Sequence, residues 1–184
     1  MQIRQLSIDY QEHEDRVLIR LAGTESEEVR IWLTRRLFER LLPPLQRSTT
    51  ELEARLATIS GRDTHTKQML ADIRRDESLQ STDFQTPYQN QATVFPVGET
   101  PLLVTKIDLS QRSNGRLRLG FEEQRAQAET PRQYGFELPP KLLHSVIHLM
   151  EKAGRRGGWL PNPGAAALDK PTTPSTPERP RFVN

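Results

Sequence analysis

Two stretches of this chain carry the same order of apolar patterns. Residues 3–47 and 103–152 each present two alternating runs, then a third alternating run, then a helical stripe entered directly from it. The third run and the helix align at one constant offset. Val29, Ile31 and Leu33 fall on Tyr134, Phe136 and Leu138, and Leu37, Phe38, Leu41, Leu42 and Leu45 fall on Leu142, Leu143, Val146, Ile147 and Met150. Period two with one apolar side is the mark of an antiparallel sheet covered on one face, and a three-to-four spacing is the mark of a helix that covers it. The expected fold is therefore α+β, with two tandem β-β-β-α repeats about a pseudo-twofold axis.

The expected boundaries follow from that order. Residues 1–47 form the first repeat, with strands over 3–10, 17–22 and 29–33. The second, 102–153, has the strand pair 107–109 and 117–121 around the tight-turn signal Asn114-Gly115, and a third strand over 134–138. Thr34 is placed to cap the first helix, and Pro139-Pro140 opens the helix of the second repeat. Pro43 and Pro44 interrupt the first helical stripe, so that helix either stops near Leu42 or kinks there. Ser48 with Glu51 fits a capping box for a separate long helix over 48–78. Within it Leu52, Leu56, Ile59, Asp63, Thr66, Leu70 and Ile73 step by four and three, a heptad seam. Two readings follow: a coiled-coil arm that pairs in a homodimer through Leu52, Leu56, Ile59, Leu70 and Ile73, or two shorter helices broken near Gly61. The arm is preferred, because the phase survives the weak point. Residues 79–101 read as a linker with a short edge strand over 92–97. Residues 154–184 are rich in proline and poor in large apolar side chains, so a disordered tail is expected there.

Composition excludes more than it assigns. There is no cysteine, so disulfides and thiolate metal sites are absent. No apolar stretch approaches the roughly 20 residues that span a bilayer, and the first residues lack an apolar export core, so no membrane contact and a cytoplasmic location are expected. Net charge is only +2, yet it is unevenly spread. Residues 1–29 hold three basic and seven acidic side chains, whereas residues 30–47 hold Arg30, Arg35, Arg36, Arg40 and Arg47 against Glu39 alone. Such a cluster attracts phosphate or an acidic protein surface, or simply solvates an amphipathic helix. Trp32 points away from Ile31 and Leu33 on a regular strand. It is then a stacking or contact residue, or it lies under the long helix. Arg155, Arg156 and Trp159 at the base of the tail form a second candidate partner or nucleic-acid contact, unless Trp159 folds back onto the core.

No motif supports catalysis: the chain has neither a glycine-rich phosphate loop nor a nucleophile elbow. His144 and His148 share one side of a helix, but two imidazoles without a third ligand make a weak metal site, and ordinary exposed histidines are the better reading. His13 and His65 fall in polar segments. Asp9, Glu12, Glu14 and Asp15 match no calcium loop, and a solvated hairpin turn accounts for them. No cofactor, metal or enzymatic activity is expected.

The paired strands followed by Val-Arg-Ile-Trp-Leu-Thr-Arg-Arg at 29–36 resemble a group of bacterial proteins that begin with a strand–strand–WLTRR–helix pattern. That resemblance covers the first quarter of the chain and implies no activity. The tandem units of strands and helix also resemble the PUR-domain and Whirly group, whose paired repeats bind single-stranded nucleic acid, although each unit here shows three strands where those families usually have four. Two functions follow as expectations. The preferred one is a non-enzymatic protein-interaction or scaffold module that dimerises through the seam and recruits a protein partner through its tail. The other is a nucleic-acid-binding module using Arg30, Arg35, Arg36 and Arg40 on phosphates with Trp32 or Trp159 as a stacking platform.

Overall fold

The computed structural model describes residues 2–56, 64–80, 82–83, 86–89, 91–126 and 128–162. They form a mixed α+β fold of two sheets and three helices. In chain order these are β1 (Ile3–Gln11), β2 (Arg16–Gly23), β3 (Glu28–Leu33), α1 (Arg35–Leu56), α2 (Thr64–Gln80), β4 (Leu102–Leu103), β5 (Lys106–Gln111), β6 (Leu117–Glu123), β7 (Arg132–Leu138) and α3 (Pro140–Arg156). Among the described residues, no helix is long and apolar enough to cross a membrane.

The first sheet has the order β1-β2-β3-β4 and the second β5-β6-β7. All neighbours are antiparallel except β3 and β4, which run parallel with Ile31 opposite Leu102 and Trp32 opposite Leu103. The two-residue β4 continues almost at once into β5. Val104 donates its N–H to Trp32 O, and Thr105 donates to Glu122 O. One extended segment thus leaves the first sheet and enters the second. Alternation explains the rest. Val17, Ile19 and Leu21 on β2 and Val29, Ile31 and Leu33 on β3 are buried on the inner face. They join Leu117, Leu119 and Phe121 of β6, Phe38 of α1 and Leu143 of α3 in one core.

α1 differs from its sequence reading. It does not stop at Leu42 but runs through Pro43 and Pro44 to Leu56, so Ser48 and Glu51 begin no helix. A proline inside an isolated helix costs about 3 kcal/mol. Here the carbonyls that lose their partners belong to Glu39 and Arg40, both exposed, where water can serve them. The opposite face buries Phe38, Leu41, Leu42 and Leu45, and continues in phase to Thr49 and Leu52. Each large apolar side chain there contributes about 1.5–3 kcal/mol, so packing outweighs the two lost bonds. The region around Gly61 lies outside the described residues.

The base of the tail also differs. α3 extends past Gly154, and Gly158, at φ +67°, turns the chain back. Trp159 N then bonds Gly154 O at 2.8 Å, and the indole is buried edge-on to Phe38 and Tyr10, with ring centroids 5.2 and 5.4 Å away. Trp159 is a core residue and offers no exposed ring. The expected disorder of the rest of the tail falls on residues outside those described.

Three buried glutamates tie elements together. Glu151 of α3 accepts from Arg75 of α2 at 2.6 Å and Gln46 of α1 at 3.0 Å. Glu123 of β6 pairs with Arg132, which also donates to the carbonyls of Val97, Thr100 and Pro101 and so pins the approach to β4. Glu28, 1% exposed, pairs with Arg30 and accepts from the Tyr88 hydroxyl at 3.1 Å.

Candidate partner-binding groove

β1 is the edge strand of the first sheet. Residues 4–9 of this strand, from both of its faces, line one groove of about 860 Å³. Successive side chains of a strand point to opposite faces. A single groove touching both sets must therefore run along the strand's free edge. Among the described residues, no backbone group of residues 4–9 bonds another backbone on the side away from β2. Among the described residues the edge is open for pairing.

α3 forms one wall. Lys141, Ser145, Leu149 and Lys152 follow one another at helical spacing on the groove side, with Leu142 beside them. Thr82, Asp83 and residues 86–89 form the other wall. They are held in place by Gln5, whose amide donates to Pro87 O and accepts from Gln89 N, each at 3.1 Å, and by contact between the Thr82 and Ser145 hydroxyls at 3.2 Å. On the floor Arg20 is already engaged, with Ser7 at 3.0 Å and Asp9 at 3.5 Å, and it stacks on the Tyr88 ring. Burial and the Glu28 carboxylate raise the Tyr88 phenol pKa well above its ordinary value, so the hydroxyl remains a donor. Arg4, Lys141 and Lys152 are exposed and make no ion pair among the described residues. Among the described residues the groove therefore presents leucines, an unpaired strand edge and an excess of positive charge, with four basic side chains against Asp9 and Asp83.

The arginines flagged by the sequence lie elsewhere and divide. Arg30 is on the outer face of β3, paired with Glu28 and stacked on Phe95 with its guanidinium carbon 4.8 Å from the ring centre. Arg35 pairs with Glu39 at 2.7 Å, which raises its pKa. Arg36, Arg40 and Arg47 are exposed along one side of α1 and make no ion pair among the described residues. Trp32 is half-buried beside Leu18 and Leu103, and among the described residues the face it occupies is covered at its other end by Tyr88 and Phe95. Arg155 faces Glu151 at 3.8 Å and Arg156 is exposed. These groups do not converge on one surface with Trp159.

The heptad seam also divides. Leu52 is buried in the core, 3.7 Å from the position a Cβ on Gly115 would take in the β5–β6 turn. Leu56 ends α1, and Ile59 lies outside the described residues. Leu70 is half-buried, whereas Ile73 is 46% exposed one turn after Met69 at 58%. Substitutions at the two ends of the seam therefore differ in their consequences. We expect Leu52→Ala to lower stability by about 2–5 kcal/mol, and Ile73→Glu to stay within about 0.5 kcal/mol of the parent in denaturant melts. Equal effects at both positions would refute this division.

His144 is buried on α3, contrary to its reading as an exposed histidine. Desolvation, helped by Arg75, lowers the His148 pKa, so this ring is held neutral to lower pH than an ordinary histidine. Among the described residues, no group of three or more acidic or histidine side chains is arranged to hold a metal ion.

No family model, curated protein or solved structure matches this chain at a significant level. The functional argument rests on the chain's own residues. The groove itself had no sequence signature, since a strand edge becomes a site only when other segments wall it. The one visible hint was Lys141 and Lys152 on the polar side of the α3 stripe.

Proposed function

We propose that this chain is a non-enzymatic protein-interaction module of a bacterial cytosolic protein, built from two β-β-β-α units related by pseudo-twofold symmetry. One observation carries the reading: the walled groove along the free edge of β1, which combines unpaired backbone groups with apolar side chains. Strand edges of this kind are natural docking lines for extended segments, because main-chain bonds give affinity and side-chain niches give selectivity. A natural protein rarely leaves such an edge open, since it invites aggregation, so an open edge between two walls favours a defined occupant.

A second reading is a single-strand nucleic-acid-binding module, favoured by the exposed row Arg36, Arg40 and Arg47. The two are separated by panning displayed random peptides of about twelve residues against the whole protein, beside anisotropy titrations with labelled single-stranded and duplex oligonucleotides at low and near-physiological salt. The interaction module predicts enriched peptides that slow amide exchange in β1. Micromolar oligonucleotide binding that weakens with salt and is lost in R36E/R40E/R47E would replace it with the nucleic-acid reading.

A further inference from the structure

We propose that the groove beside β1 takes an extended acidic peptide, added to the first sheet as a fifth strand. This deepens the interaction reading above and rests on it. Three features define the occupant.

The first is shape. Lys141 and Lys152 are eleven residues apart on α3, about 16 Å along the helix. Residues 4–9 of β1 span five steps, about 17 Å of strand. Wall and floor therefore run for the same length, which accommodates about six residues of extended chain. The second is hydrogen bonding. From Gln5 onward, past the register irregularity at Arg4, the edge of β1 offers alternate N–H and C=O groups that only a backbone in β conformation can match along its length. A nucleic-acid strand has no such alternation.

The third is charge. Arg4 at the strand and Lys141 and Lys152 at the two ends of the α3 wall are exposed and make no ion pair among the described residues, while Arg20 and Asp9 pair at 3.5 Å on the floor and Asp83 on the opposite wall accepts from Thr86, so positive charge is in excess. Between the two lysines the wall is Leu142, Ser145 and Leu149. The complementary segment is acidic toward its ends and apolar or β-branched at its centre. Complementary rim charge mainly raises the association rate and selects the partner, whereas the strand bonds and leucines hold it.

The test uses the whole protein and a fluorescein-labelled peptide with a Val-Thr-Val-Thr core and two aspartates at each end. Binding is read by anisotropy. Companion peptides carry lysine in place of aspartate, or are N-methylated at every second residue in one phase or the other. We expect the acidic peptide to bind and the lysine peptide to bind at least about tenfold more weakly. K141E/K152E, which alters only exposed side chains, should cost about tenfold or more. Methylation in one phase should abolish binding and in the other spare it, because only alternate N–H groups of an added strand face β1.

Equal loss in both methylation phases, or equal competition by single-stranded DNA, would reduce the groove to an anion-attracting patch and overturn the proposal. Failure of the acidic peptide, while panned peptides of other charge still protect β1, would overturn the acidic occupant and leave the interaction module standing. Failure of every peptide to protect β1 would remove both.

Discussion

Replacing Trp159 with alanine should lower stability by about 3–5 kcal/mol, as for other fully packed aromatic residues. For a protein of this size that corresponds to a fall in Tm of roughly 6–20 °C. The reason is the company the indole keeps. It meets Phe38 and Tyr10 edge-on, at 5.2 and 5.4 Å, and closes the end of the core where α1, β1 and α3 converge. The neighbouring glycines show how little slack exists. A Cβ on Gly154 would lie 2.7 Å from the Phe38 ring, and one on Gly157 would lie 2.8 Å from the Tyr10 ring. The cavity left by truncation therefore has rigid walls, and rigid walls make cavities costly. Trp159→Phe should lose less than half as much. Thermal melts by circular dichroism provide the check, with fluorescence as a second signal, since Trp32 is the other tryptophan. A loss below about 1 kcal/mol for the alanine variant, the ordinary range of a minor site, would show that this corner is not part of the core.

Glu28→Ala should be nearly as harmful, at about 3 kcal/mol, the lower end of what breaking a buried ion pair costs. The lower end applies because the Arg30 side chain retains 25% exposure, so water screens part of the stranded charge. The carboxylate itself is almost wholly buried and takes both the Arg30 guanidinium and the Tyr88 hydroxyl. Its removal leaves one charge and one half-buried phenol without their acceptor. Glu28→Gln keeps an acceptor for Tyr88 and should cost less. The double variant E28L/R30M removes both charges and strands only the Tyr88 hydroxyl, so it should recover the larger part of the loss, since a buried pair is often no better than apolar side chains of the same volume. The chain around Tyr88 and Phe95 should become more open to protease in Glu28→Ala, because both rings rest on these same two side chains. If the double variant proved as unstable as Glu28→Ala, the explanation by stranded charge would be wrong.

The strands were legible because alternation is a local property. Val17, Ile19 and Leu21 could only bury together on one face, and they do. The same logic failed where two tertiary outcomes share one local pattern. Leu52 sits at heptad spacing with Leu56 and Ile59, but it also continues the phase of Phe38, Leu41, Leu42 and Leu45. Spacing alone does not say whether a stripe meets its own core or another chain. Pro43 and Pro44 suggested a stop, because propensity takes no account of which face loses its bonds. Trp159 was ambiguous for a related reason: Gly157 and Gly158 after a helix signal either an end or a return, and the return depends on Tyr10 and Phe38, far away in sequence. Nothing local marks Glu28, Glu123 and Glu151 for burial, since only the folded chain brings Arg30, Arg132 and Arg75 against them. β4 is two residues long, too short for any periodicity to reveal.

That short strand has a bearing on how the protein is made. The first sheet obtains its last strand from a segment about 70 residues further along the chain than β3. At bacterial and eukaryotic elongation rates of about 5–20 residues per second, roughly 3–14 s separate the emergence of β3 from that of β4. During that interval the backbone of Ile31 and Trp32 presents a bare apolar edge to every other nascent chain nearby. Val94 arrives slightly earlier and covers the start of β3 through its bond with Glu28. The segment between the sheets thus acts as a late-arriving cover, and the first half of the protein depends on the second to become safe from aggregation.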